Sequence, residues 1–175
     1  MKYLKIINET IVDGQGARMS IYVAGCNHQC KGCHNPETWD FNQGYLITAE
    51  LIDEIIDKIK SNPIIAGITF SGGDPLEKGN AEDLLWILEQ LKSAGINIWV
   101  YTGYTYDQLL NDKFQSQCLE YIDVLVDGPF IEEKKNPDLL YRGSENQRIL
   151  VLNRGRIDHQ FDESSAKLAL SSLGR

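Results

Sequence analysis

Three cysteines lie close together within residues 24–36, and their spacing is typical of a metal site. Cys26, Cys30 and Cys33 follow the pattern Cys-x3-Cys-x2-Cys. A [4Fe–4S] cube is normally held by four thiolates, so a run of three would leave one iron open to a non-protein ligand. An open iron is a position at which a bound molecule can react. The spacing therefore predicts a site for iron–sulfur chemistry.

Zinc and unligated redox thiols are the alternatives for the same cysteines. His28 or His34 would complete a Cys3His tetrahedron, and two residues between cysteines are common in structural zinc sites. Such sites usually join two separated ligand pairs, whereas all the candidates here lie within nine residues. Cys118 stands alone far downstream and is interpreted as a buried thiol outside the site. The spacing favours the cluster and leaves zinc open.

A second segment, Ser-Gly-Gly-Asp-Pro at residues 71–75, has the composition of a ligand-binding turn. Gly72 and Gly73 have no side chains, so the backbone can approach a ligand closely, and Asp74 adds a carboxylate at the rim. A primary ammonium group would suit such a place. A plain turn is the alternative, because these residue types are frequent in turns of every kind.

Hydrophobic periodicity indicates the elements that position these motifs. Short apolar runs rich in β-branched residues predict strands, at residues 4–7, 19–23, 64–70, 96–101, 122–126 and 148–152. Apolar residues at helical spacing predict helices, at residues 51–59, 84–91 and 106–114, and Thr48 is the expected N-cap of the first. Alternating strands and helices need crossover connections, which produce a parallel sheet covered by helices. The predicted fold is α/β, with an open, curved, mostly parallel sheet of about five or six strands forming at most a partial barrel.

Each unusual segment directly follows a predicted strand. The cysteine loop follows the second strand, and three further segments at residues 71–75, 101–104 and 127–130 follow the next three. Ligands of parallel α/β sheets bind outside the carboxyl ends of the strands. We therefore expect all four segments to converge on one face.

Composition sets the remaining expectations. A chain of 175 residues with 42% hydrophobic residues is expected to form a single domain over residues 1–175, with residues 153–175 as a polar C-terminal tail that contains a short helix over residues 166–173. A net charge of −8 without a basic run argues against nucleic acid as a partner. The amino terminus has too short an apolar run for a signal peptide or a membrane span, so we expect a cytoplasmic protein.

Taken together, the cysteine motif and Ser-Gly-Gly-Asp-Pro resemble the radical S-adenosylmethionine superfamily, whose members use a three-cysteine [4Fe–4S] cluster and a Gly-Gly-Glu-like motif. More narrowly, the chain is similar to the family of activating proteins of anaerobic ribonucleoside-triphosphate reductase. Six segments carry this resemblance in one order, at residues 25–33, 38–39, 70–76, 99–104, 124–130 and 142–148.

This resemblance implies a partial β/α barrel of the radical S-adenosylmethionine type and specific roles for the two motifs. The cluster ligands would be Cys26, Cys30 and Cys33, with S-adenosylmethionine on the open iron. The residues at the methionine ammonium would be Gly72, Gly73 and Asp74. The residues beside the adenine would be Gly32, Cys33 and His34. Because the cofactors break the bonds, no catalytic side-chain acid or base is assigned.

Two positions depart from the superfamily pattern. Many relatives carry an aromatic residue before the third cysteine, where this chain has Gly32, so we expect His34, Tyr22 or Trp39 to pack against the adenine. Asp74 stands where the wider superfamily has glutamate, which shortens the side chain by one methylene.

The implied activity is reductive cleavage of S-adenosylmethionine, followed by formation of a glycyl radical on the large subunit of the anaerobic reductase. The implied partners are that subunit and an electron donor such as a flavodoxin or ferredoxin. Two alternatives stay open: an activase of another glycyl-radical enzyme, such as a formate-lyase type, and a non-catalytic zinc-stabilised binding module.

Overall fold

A computed structural model describes residues 1–164, in which all the strands belong to one eight-stranded sheet. The strands are β1 Lys2–Thr10, β2 Ala17–Val23, β3 Tyr45–Leu46, β4 Ile65–Gly72, β5 Ile98–Tyr101, β6 Val124–Asp127, β7 Arg148–Asn153 and β8 Arg156–Gln160. Their order across the sheet is β3-β1-β2-β4-β5-β6-β7-β8. The α/β class is confirmed, and the sheet has more strands than the five or six expected.

The sheet is mixed, which corrects the prediction of a mostly parallel one. Strands β2, β4, β5 and β6 form a parallel centre through three pairings. The other four pairings, which involve β1, β3, β7 and β8, are antiparallel. Hairpins join β1 to β2 and β7 to β8, and long loops without an α-helix lead from β2 to β3 and from β6 to β7. The helix–strand alternation used for the prediction does not detect either kind of connection.

The clearest case is the hairpin from β7 to β8. Its two turn residues, Arg154 and Gly155, both have positive φ, at 48° and 75°, as a two-residue type I′ turn requires. The following strand, Arg156–Gln160, is exposed along its whole length and has one apolar residue, Ile157. The sequence places these residues in the predicted tail, because an exposed edge strand has no hydrophobic periodicity.

Helices cover one face of the sheet. They are α1 Ala49–Ser61, α2 Lys78–Ser93, α3 Tyr106–Leu109 and α4 Lys113–Cys118. The single helix predicted over residues 106–114 is wrong in extent, because Asp112 accepts hydrogen bonds from the N–H groups of Phe114 and Gln115 and so starts a second helix. The helix predicted over residues 166–173 lies outside the described residues. Within residues 1–164 there is no helix long and apolar enough to cross a membrane.

Thr48 caps α1, as the sequence predicted. Its hydroxyl accepts a hydrogen bond from Leu51 N–H at 3.3 Å. Thr48→Ala is expected to lower the free energy of unfolding by about 1 kcal/mol, because that amide loses its partner. Thr48→Ser should retain most of the stability in denaturant titrations. Equal losses in the two variants would show that the hydroxyl is not the stabilising group.

Alternation along the strands gives the sheet two different faces. On β2, Met19 and Ile21 are buried in the main hydrophobic core together with α1 and α2. On the opposite face Trp99 packs in a smaller aromatic cluster with Tyr141 and Phe161, at ring separations of 5.5 and 5.9 Å. This second face carries aromatic side chains beside aliphatic ones such as Val124, Val126 and Ile149. It is the face on which a ligand could be held.

Candidate metal centre and adjoining pocket

A cavity of about 390 Å³ opens at the carboxyl ends of the parallel strands. All four segments that follow predicted strands contribute to its wall. Its lining includes Cys26, Cys30, Cys33, Ser71, Gly72, Gly73, Asp74, Tyr101, Thr102, Gly103, Gly128 and Phe130. The expected convergence on one face is therefore confirmed.

The cysteine loop leaves β2 through Gly25, and its two ends are hydrogen-bonded to each other near Trp39. Gly25 N–H donates to Thr38 O at 2.7 Å, and Cys26 N–H donates to Trp39 O at 3.1 Å. Gly25 has a φ of 99°, and an added Cβ would lie 2.2 Å from the Phe41 ring. Glycine is therefore the residue that allows the chain to turn into the loop at this point.

The loop thiols would be charged only beside a bound cation. The three thiols are free and half-buried. Burial raises the pKa of Cys26 to about 11 and also raises the pKa of Cys30. Thiolates at these positions need a nearby positive charge, which a coordinated metal provides. Asn35 N–H also donates to the Cys33 sulfur at 3.4 Å, a contact that tunes metal–sulfur centres. The donor chemistry of the loop therefore fits a metal–sulfur group.

The zinc alternative would need one ion to be surrounded by several donors. Across residues 1–164, no three His, Cys, Asp or Glu side chains, the loop thiols included, are grouped so that they could hold a single metal ion. His28, one of the two histidines considered for zinc, directs its Nε2 atom to Asp74 at 2.9 Å. The other, His34, lies against the Phe130 ring with a centroid separation of 5.2 Å.

The two glycines of the second motif allow a close approach between chain segments. A Cβ on Gly73 would lie 2.6 Å from Gly25 O and 3.0 Å from the carbonyl oxygens of Val23 and Thr38. Gly72 has a φ of 94°, and its Cβ would lie 2.8 Å from the Cα atom of Tyr22. The end of β4 therefore packs directly on the cysteine loop as well as lining the cavity, a contact that the sequence did not reveal.

Asp74 is almost fully buried, with 1% of its surface exposed. One carboxylate oxygen accepts from Leu76 N–H at 2.9 Å. The other lies 2.9 Å from His28 Nε2 and accepts from the Thr102 hydroxyl at 3.0 Å and from Gly103 N–H at 2.9 Å. The hydrogen bond to Asp74 is the main cause that raises the pKa of His28. Asp74 thus borders the cavity with its oxygens already engaged by the protein.

The residues expected beside the adenine divide into two groups. Cys33 and His34 line the cavity, whereas Gly32 is not part of its wall. Gly32 has a φ of 72°, and a Cβ there would lie 2.8 Å from a carboxylate oxygen of Glu132. Tyr22 and Trp39, the other aromatic candidates, both line the cavity.

Several cavity residues received no role from the sequence. Arg142 is the one lysine or arginine in the described cavity wall. It donates to Gln147 O at 2.6 Å and forms an ion pair with Glu163. Gln147 in turn accepts from Gly143 N–H at 3.0 Å. Both residues fall within residues 142–148, a segment that the sequence singles out. No local sequence pattern indicates that this segment faces the cavity.

Comparison with known proteins gives one consistent result. Residues 12–150 match the family described as a 4Fe-4S single cluster domain. Over 152 residues the chain is 43% identical to the anaerobic ribonucleoside-triphosphate reductase-activating protein of Haemophilus influenzae, covering 85% of this chain and 97% of that relative. The proteins of the same name from Escherichia coli K12 and Enterobacteria phage T4 are 41% and 37% identical, again over 85% of this chain and over 97% and 93% of their own lengths. The chain therefore belongs to the family of anaerobic ribonucleoside-triphosphate reductase-activating proteins.

Proposed function

We propose that this protein is a radical S-adenosylmethionine enzyme that generates a glycyl radical on anaerobic ribonucleoside-triphosphate reductase. The observation that carries the proposal is the meeting of three free cysteines and the Gly-Gly-Asp segment on one cavity wall. The relatives that share this chain over most of its length are named for activating that reductase.

A cluster held by Cys26, Cys30 and Cys33 would supply the one electron needed for reductive cleavage of S-adenosylmethionine to methionine and a 5′-deoxyadenosyl radical. That radical would take a hydrogen atom from a glycine of the reductase and become 5′-deoxyadenosine. The chain's own residues hold and orient these groups. Cys26, Cys30 and Cys33 are proposed as the ligands of three irons. The cavity walls are proposed to limit the access of water and oxygen to the reacting atoms.

The remainder of the cavity is proposed to bind the nucleoside and the amino acid portion. The backbone of Gly72 and Gly73, next to Asp74, would border the methionine ammonium. The adenine would lie near Cys33 and His34, with Gly32 contributing at most through the backbone that leads into Cys33, because Gly32 is outside the cavity wall. Tyr22 and Trp39 are available for packing because both line that wall. Carbonyl oxygens suit an ammonium and aromatic faces suit a purine.

The architecture is proposed to be a single domain with a partial β/α barrel of the radical S-adenosylmethionine type. Two features support this proposal. All eight strands of the described residues belong to one sheet, and its parallel centre presents the cavity at the carboxyl ends of its strands. The tail proposed from Asn153 onward would then begin no earlier than Ser164, since Arg156–Gln160 pairs with β7, Phe161 packs against Trp99 and Glu163 forms an ion pair with Arg142.

An external protein is proposed to deliver the electron. The chain has four cysteines, and Cys118, the one outside the loop, is fully buried. A second cluster therefore lacks thiolate ligands, and a flavodoxin or ferredoxin would act as the donor. A reducing cytoplasm would keep the three loop thiols available for iron.

The test is anaerobic reconstitution with iron and sulfide, followed by reduction in the presence of S-adenosylmethionine. We expect 5′-deoxyadenosine to form and, when the reductase is added, an organic radical signal to appear on the reductase by electron paramagnetic resonance. A control reaction with formate lyase as the target should give no radical on that protein. Stoichiometric zinc without iron or sulfide, and no 5′-deoxyadenosine, would contradict the proposal.

A further inference from the structure

Three polar side chains near the start of α2 are buried against the cysteine loop. Asp74, Glu77 and Asn80 follow one another at intervals of three residues, and each exposes no more than 4% of its surface. Buried carboxylates and amides are uncommon unless they are fully hydrogen-bonded. Because they are buried next to the cysteine loop, we expect the loop to provide hydrogen-bond partners for all three.

Asn80 and Glu77 hold the loop on both sides of its first cysteine. The Asn80 amide donates to Ala24 O at 2.9 Å and to Asp74 O at 3.0 Å. Glu77 accepts from Asn27 N–H at 3.1 Å and from the Tyr104 hydroxyl at 2.8 Å. Burial opposes ionisation of Glu77, but these hydrogen bonds outweigh it and lower its pKa. A charged acceptor therefore anchors the backbone immediately after Cys26.

Asp74 makes a further side-chain contact with the loop, at His28, the residue after Asn27. Its carboxylate meets His28 at 2.9 Å, and the His28 ring is packed edge-on against Tyr104 at 4.5 Å. Gly103 leaves room for this ring, because an added Cβ would lie 2.6 Å from it. Three side chains from one short segment thus contact the loop at positions 24, 27 and 28, which flank the first cysteine.

We propose that Asp74, Glu77 and Asn80 form a clamp that holds the cysteine loop in its folded conformation before any metal is bound. Asp74 is then a positioning residue, which acts on the site through His28 and the Thr102–Gly103 turn, while the glycine backbone faces the ligand. A cluster with only three protein ligands needs such preorganisation, because no fourth thiolate helps to place the other three. The expected benefit for cluster binding rests on the proposed function. The ordering of the loop in the metal-free protein does not depend on that function.

The clamp is tested by amide hydrogen–deuterium exchange in the cluster-free protein, measured anaerobically by mass spectrometry. Glu77→Ala is expected to raise exchange in residues 24–33 about tenfold, because the loop loses a charged acceptor. Glu77→Gln keeps one acceptor oxygen and should restore part of the protection. Glu82→Ala, at an exposed position on the same helix, is the matched control and should leave the loop unchanged. Unchanged loop exchange in Glu77→Ala would overturn the proposal.

A substitution at Asp74 distinguishes a positioning role from a ligand-binding role. Asp74→Asn keeps the size of the side chain but replaces one acceptor oxygen with a donor, which must then face the N–H group of either Gly103 or Leu76. A positioning role predicts faster loop exchange in Asp74→Asn without any S-adenosylmethionine. A ligand role predicts that loop exchange stays unchanged and that only the binding of S-adenosylmethionine becomes weaker. That result would overturn this part of the proposal. Both readouts are independent of turnover, so failure of the clamp is distinguishable from failure of the proposed activity.

Discussion

Cys30→Ala is expected to abolish cluster assembly and, with it, the cleavage of S-adenosylmethionine. The loop offers three thiols to the cavity, and removal of one leaves two ligands for a cube that already lacks a fourth. The loss should therefore be complete rather than partial. Iron and sulfide content after anaerobic reconstitution measures the first effect, and 5′-deoxyadenosine formation measures the second.

Cys118→Ala is the matched control for this prediction. The Cys118 thiol is fully buried next to α2, where its sulfur donates to Ala81 O at 3.4 Å, and it is absent from the cavity wall. Its loss should reduce the free energy of unfolding by about 1 kcal/mol and leave cluster assembly largely intact. If both variants lost the cluster equally, the assignment of ligands to the loop would be wrong.

Gly73→Ala is expected to have the second largest effect, because the new methyl group would meet backbone on three sides. Its Cβ would lie 2.6 Å from Gly25 O and 3.0 Å from two further carbonyl oxygens. Backbone atoms cannot rotate away individually, so either the cysteine loop or the end of β4 must move. We expect the free energy of unfolding to fall by about 1–3 kcal/mol and cluster content to drop sharply. Denaturant titration and iron analysis measure the two effects.

Gly79→Ala provides a control for the glycine substitution itself. Gly79 lies within α2, and a Cβ there would meet only the Phe41 ring, at 3.1 Å. Alanine also favours the helix over glycine by about 1 kcal/mol, which should offset the tight contact. We expect near-native stability and a normal cluster. A Gly73→Ala protein that behaved like Gly79→Ala would show that the close approach at residue 73 is not required.

The clamp and the glycine contacts describe one structural arrangement. Gly73 N–H donates to Val23 O at 2.8 Å, and Asp74 N–H donates to Gly25 O at 2.8 Å, so the motif binds the loop through its backbone as well as its side chains. In this protein the Gly-Gly-Asp segment therefore joins the cysteine loop to the sheet. The proposed ligand contact is a second use of the same segment.

The sequence by itself determined the features that depend on local patterns. The cysteine spacing, the Gly-Gly-Asp turn and the apolar periodicity of α1 are all contained within short windows, and Thr48 caps the helix where a local signal placed it. The order of strands and unusual segments was also sufficient to predict that four loops meet at one edge of the sheet, because the carboxyl ends of parallel strands share an edge. The family followed from the same motifs.

Only the tertiary structure decided how the strands pair and what the buried polar groups contact. The edge strand β8 has no apolar alternation, so its pairing depends on a turn geometry at Arg154 and Gly155. Asp74 looked like a ligand-facing carboxylate, yet its partners His28 and Thr102 lie 46 and 28 residues away in the chain. Hydrogen bonds between distant segments leave no periodic trace, because they are selected by the packing of the whole sheet and not by neighbouring residues.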